Sequence, residues 1–248
     1  MTDRSRFLWI SASPSLKYFH RRLIRHLSQV IKIKCWEFYQ SLDESSSIDE
    51  AVELLHTHLK DTADPVHLIG HGMGGIIALV YARTYPSQVA SLTLLSVAAR
   101  PGINWHSYYY DRLCSLSDNR KATLTSLAND LFPDRSARHV CDLVERLERD
   151  LVESPSNHSL FQSSILPSGG VEMPLMICAS QSDPVIKLAA SYGWNNYLKP
   201  IDRIWHISTG GHFFHHMNSE VVSYQIQKFW QELEPEIAFH QLLKVELN

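Results

Sequence analysis

Three short segments of the chain hold residues whose types and spacing suit acid–base chemistry. His212 lies in the glycine-rich stretch TGGHFF, and Asp183 lies in SQSDPVI, just past the apolar run Met173 to Ala179. A carboxylate that accepts one imidazole N–H fixes the ring and leaves its second nitrogen as a general base. The third segment, VHLIGHGMGGIIALVYA over residues 66 to 82, reads as a buried strand turning abruptly into a helix. Gly72 stands at the turn, where a side chain would be held above the sheet in a strained backbone conformation. Glycine relieves that strain and brings no reacting atom.

At these residues the chain resembles the α/β-hydrolase family, whose commonest elbow reads G-H-S-M-G-G against G-H-G-M-G-G here. The resemblance runs in the family's chain order of nucleophile, acid and histidine. It implies that Gly72 takes the nucleophile's place and that Asp183 and His212 are the acid and base. It also implies an oxyanion site, for which the amide of Met73 is one donor and that of Ser13 the second. The family's His-Gly pair is replaced there by Ala12 and Ser13, and Pro14 has no N–H to give. An oxyanion site short of one donor loses about 100 to 1000-fold in rate. Ser11 or Ser13 is an alternative nucleophile from the facing loop.

These elements must be positioned by a fold, and the pattern around them alternates. Strands are expected over Arg6 to Ala12, Ile31 to Phe38, Val66 to Ile69 and Ser91 to Val97, with helices over Ser15 to Gln29, Ile48 to Lys60 and Met73 to Thr84. Such alternation predicts an α/β fold with a doubly wound, mostly parallel sheet. The helix IIALVYA is apolar nearly all round, as expected for one wedged against the sheet centre. A further strand is expected over Asp202 to Ser208, and the last helix over Asn218 to Leu233. Relative to the family, two leading antiparallel strands are missing.

Between about 100 and 170 the alternation stops and helical patterns such as Ala137 to Leu151 take over, which predicts a helical cap inserted in a single domain of residues 1 to 248. Glu145, Arg146, Glu148 and Arg149 read as a solvated helix face with modest pair support. Trp105, His106, Tyr108, Tyr109 and Tyr110 cluster after a Pro-Gly turn. Aromatics with polar tips suit a lid over an apolar ligand, or else they pack the cap onto the core. Trp105, Tyr109 and Tyr110, with Ala12 and His71, are the candidate ligand-binding residues.

The composition agrees. With 248 residues, 44% hydrophobic and 20% charged, the chain can bury a sizeable core. A net charge of −3 argues against nucleic-acid binding driven by overall charge. No apolar run approaches the roughly 18 residues of a membrane span, and the amino terminus lacks a signal-peptide core, so a cytoplasmic protein is expected. Cys35, Cys114, Cys141 and Cys178 are dispersed, two of them in strands expected to be buried, and read as reduced core thiols. His215 and His216 beside His212 invite a metal reading, but without a carboxylate or cysteine at ligand spacing no metal and no cofactor is expected.

Gly70, Gly72 and Gly75 also satisfy G-x-G-x-x-G. A dinucleotide site would need an acidic residue about 20 positions on, and no Asp or Glu occurs between Pro65 and Tyr110. The first 34 residues carry eight Lys and Arg against Asp3, and the helix after Ser15 is expected to display Tyr18, Phe19 and His20. That face is either ordinarily solvated or touches an anionic surface peripherally. Beyond Pro235, Ile237, Phe239, Leu242 and Leu243 have helical spacing that suits docking on this domain or a neighbour.

Two functions follow. The first is a noncatalytic protein on a hydrolase-like fold that binds a small apolar ligand or a protein partner. The second is a hydrolase or lyase for an ester- or thioester-like substrate, in which His212 and Asp183 activate water or substrate directly. The oligomeric state is not legible.

Overall fold

The computed structural model describes residues 6–39, 47–115, 119–132, 137–155 and 166–234. Six strands, β1 (Phe7–Ser11), β2 (Ile33–Glu37), β3 (Val66–His71), β4 (Val89–Leu95), β5 (Leu175–Ser180) and β6 (Arg203–Ile207), form one sheet. Their order is β2-β1-β3-β4-β5-β6, and every pairing is parallel. This is the doubly wound α/β architecture that the alternation predicts.

Side chains along β1 alternate between two cores, as the period of a strand requires. Leu8 and Ile10 join α2 (Ile48–Leu59) and α3 (Gly72–Thr84) on one face; Phe7 and Trp9 join α1 (Arg21–Leu27) on the other. Being covered on both faces, β1 and β3 are buried at every position. α3 lies against the centre of the sheet and is buried from Gly72 through Leu79, which accounts for its nearly uniform apolar surface. Ser47 caps α2 by accepting from the Glu50 amide, at the edge of the expected polar loop.

The chain leaves β1 outward to β2 and returns on β1's other side at β3, so the order reverses between β1 and β3. A crevice outside the carboxyl ends of the strands at such a point is where open α/β sheets place ligands. Those ends are Ser11 and His71, the second being followed directly by Gly72.

Between β4 and β5 stand α4 (Trp105–Ser115), α5 (Arg120–Leu131) and α6 (Ala137–Glu153). They share a core with Leu16, Phe19, Val185 and Phe213, which seats them over the carboxyl ends of the strands. Asp150 of α6 is fully buried and accepts hydrogen bonds from Trp105 Nε1 (2.9 Å), His106 Nε2 (3.2 Å), Ser154 Oγ (2.7 Å) and Ser15 Oγ (3.2 Å). One carboxylate thus ties α4, α6 and the segment after β1 together. The charges around it on α6 pair at the surface, Arg120 with Glu148 and Arg149 with Glu153.

Short α7 (Leu188–Tyr192) follows β5, and α8 (Phe214–Met217) and α9 (Ser219–Leu233) follow β6. Glu234, after α9, pairs with Arg6 and with His67 at the opposite edge of the site-bearing strands.

Several expectations are corrected. The expected helix from Ser15 to Gln29 is a 3-10 turn over Pro14–His20 followed by α1. Phe19 and His20 are buried there instead of displayed, because that turn packs under α6 and α8; Tyr18 alone of the three is exposed. Cys35 is exposed because β2 is an edge strand, while Cys178 on β5 is buried. The apolar tail beyond Pro235 lies outside the described residues.

Candidate active site

β3 and α3 meet without a linking residue, and Gly72 at their junction has φ +51°, in the left-handed region that favours glycine. Close approach is enforced two residues on, where a β-carbon on Gly74 would stand 2.2 Å from the Ile10 carbonyl oxygen. A β-carbon on Gly72 would meet, among the described residues, only His212 Nε2 within 4 Å. Gly72 therefore faces the imidazole across open space.

His212 and Asp183 are brought together from the loops after β6 and β5. The His212 Nδ1 atom lies 3.0 Å from Asp183 Oδ2 and 3.2 Å from Oδ1. A carboxylate only accepts, so Nδ1 carries the proton and Nε2 of the neutral ring presents a lone pair. That Nε2 atom is buried and has no hydrogen-bond partner among the described residues. Asp183 is fixed in turn by the amides of Val185 (2.8 Å) and Ile186 (3.0 Å), both donating to Oδ1. Burial pushes the Asp183 carboxyl up, but the adjacent His212 and these two amides outweigh it and hold it below the usual carboxylate value.

The backbone of His212 is held as firmly as its ring. Its carbonyl accepts from Ser96 Oγ (2.9 Å) and from His71 Nε2 (3.0 Å). Gly210 and Gly211, at φ +105° and +60°, make the turn that points the histidine back toward Gly72. The arrangement is an imidazole oriented by a carboxylate with its Nε2 toward the β3–α3 junction, a geometry that could serve as a general base.

The other expected residues are distributed as follows. Met73 lies in the first turn of α3, among the amides that have no partner within the helix. Ser13 is buried after β1, and its Oγ donates to Ser154 Oγ at 3.1 Å, since the single Ser154 hydroxyl proton is given to Asp150; Ala12 beside it is buried as well. His71 is buried behind the junction, with its ring against those of His212, Phe213 and His215. Trp105 and Tyr109 are packed in the core of α4 to α6, and Tyr110 is partly buried against it. The packing alternative thus describes Trp105 and Tyr109 among the described residues. Ser96 and Asp150 were not anticipated. Nothing local marks Ser96, and Asp150 follows a run of solvated charges from which only burial distinguishes it.

A groove of about 350 Å³ opens between α4 and the loop after Asp183. Ile103, Pro184, Val185 and Ala190 give it apolar surface, while Asp111, Arg112 and Lys187 with Asn104, Ser107 and Ser115 make much of its wall polar. Among the described residues no helix is long and apolar enough to cross a membrane.

The parallel sheet, the sharp β3–α3 junction and the histidine–carboxylate pair after β6 and β5 are those of a hydrolase-like α/β protein. The chain has the α/β-hydrolase fold, and residues 44–151 match the alpha/beta hydrolase fold family. It is 42% identical over 231 residues to the uncharacterized protein alr2406 of Nostoc sp., covering 93% of this chain and 92% of that one. The uncharacterized protein sll0249 of Synechocystis sp. is 34% identical over 238 residues, 96% of this chain and 95% of its own. A putative hydrolase from Bacillus subtilis superposes with a TM-score of 0.69 over 93% of this chain and 85% of its own, at 12% identity, which speaks to the fold alone.

Proposed function

We propose that this chain is a noncatalytic member of the superfamily, in which Gly72 occupies the nucleophile's position and the site serves to bind a small apolar ligand or a protein partner. The observation that carries the reading is the relation of Gly72 to His212. The base is oriented, buried and unpartnered, and it points at a residue with no atom to deprotonate. Helices α4 to α6, in the region expected to be a cap over about 100–170, act as that cap in this reading. The groove beside α4 and Pro184 is the place for a ligand, being within the size range of small-molecule pockets.

The test compares the native protein with Gly72→Ser on short and long acyl esters and thioesters, together with labelling by a serine-reactive phosphonate. We expect the native chain to be inert. Labelling of the variant at position 72 would show that His212, Asp183 and the amides of Met73 and Ser13 are arranged for acyl transfer. Native turnover on the panel would overturn the noncatalytic reading.

One observation favours a second reading. The Asp183–His212 pair keeps its full set of supporting hydrogen bonds, as a working general base would. Here the base activates water or substrate directly, in a hydrolase or lyase acting on an ester- or thioester-like compound, without an acyl-enzyme. Such a base contributes about 100 to 10,000-fold, and turnover that disappears in His212→Ala would establish it.

A further inference from the structure

A second group of histidines lies behind the β3–α3 junction, joined to the site above through the His71 hydrogen bond to the His212 carbonyl. His20 ends the 3-10 turn after β1, His71 ends β3, and His215 lies in α8. All three are buried, and one nitrogen of each lies within 4.8 Å of the other two. We propose that His20, His71 and His215 form a three-imidazole site for a zinc ion.

The geometry supports this atom by atom. His71 donates its Nε2 proton to the His212 carbonyl, so its Nδ1 is a bare lone pair. A histidine ligand whose other nitrogen is anchored to a backbone carbonyl is the usual outer support of a metal site. His20 Nδ1 and His215 Nε2 face each other at 3.0 Å, with the rings stacked at 5.2 Å between centroids. The remaining nitrogen of His215, Nδ1, is buried without a hydrogen-bond partner among the described residues, which leave this ring half satisfied. For a triangle of donors on this scale, a shared centre lies about 2.5 Å from each nitrogen, against about 2.0 to 2.1 Å for a zinc–imidazole bond. Inward movements of about half an ångström close the difference.

The surroundings agree with such an ion. The carboxylate of Asp150 acts on His20 with a negative charge that would balance part of the ion's. Trp9 and Phe213 rings enclose the group. His20 and Trp9 also line a groove of about 400 Å³ with Ser11, Lys17 and Cys35, so the His20 side of the site lies next to open space. The donors come from residues 20, 71 and 215, so no ligand spacing in the sequence announces them.

The full-length protein, refolded with zinc and freed of excess ion by gel filtration, is expected to retain one zinc per chain. Cobalt in its place should show the intense visible absorption of a four-coordinate ion. Isosteric His20→Gln and His215→Gln should each weaken zinc binding by about 100-fold or more, with the circular dichroism of the native fold. Absence of retained zinc in the native protein overturns the site without any variant being needed. Full retention by the double variant also overturns it, because the ion then sits on surface histidines.

Discussion

Gly72 and His212 face each other across 4.0 Å, measured from where a β-carbon on residue 72 would stand to the Nε2 atom of the ring. Among the described residues no other atom intrudes on that position, so their packing does not forbid a side chain there. Backbone conformation resists one, because φ +51° is strained for any L residue.

Gly72→Ser should therefore fold while losing about 1 to 3 kcal/mol of stability. Its Oγ would come about 3 Å from Nε2, within hydrogen-bonding reach. Urea denaturation measures the loss, and Gly72→Ala separates backbone strain from the new hydrogen bond. Equal or greater stability of both variants would contradict the strained geometry at this turn.

The depressed Asp183 carboxyl gives a dependence on pH with a definite sign. The folded chain holds this group ionised at pH values where the unfolded chain, with an ordinary value of 3.8, takes up a proton. Its contribution is complete above about pH 4 and is lost as the pH falls through the lower folded value. Asp183→Asn should flatten the acid limb of stability against pH and cost about 2 kcal/mol near neutrality. An acid limb unchanged by the substitution would remove Asp183 as its source.

Asp150 accepts from four side chains inside a dry core. Asp150→Ala orphans those donors, and buried donors left unpaired cost about 1 to 3 kcal/mol each. A loss of at least about 3 kcal/mol is expected in denaturant unfolding. Because the bonds link α4 and α6 to the segment after β1, proteolysis of the region between β4 and β5 should accelerate as well. Unchanged protection of α4 and α6 would show that apolar packing alone seats them.

Tyr109 is 2% exposed in the core of α4 to α6. Tyr109→Ala should cost about 3 to 5 kcal/mol, as for other large buried side chains. If ligand affinity fell with no change in melting temperature, the ring would belong to a lid and not to this core.

The order of strands and helices, and hence the α/β class, was legible in the sequence because periodicity is a local property. So were the junction at Gly72 and the placement of Asp183 and His212, since glycine clusters and strand ends are local marks. Edges were less legible. The sheet order made β2 an edge strand and exposed Cys35, and Pro14 with the packing of α6 turned an expected helix into a 3-10 turn with His20 inside. What only the tertiary structure decided is which distant groups meet. Ser96 under His212, Asp150 beneath Trp105 and His106, and the convergence of His20, His71 and His215 each depend on how the sheet and helices pack. Burial turns these polar groups into partners, because in the dry interior an unpaired one is costly, and burial is not a property of any one segment.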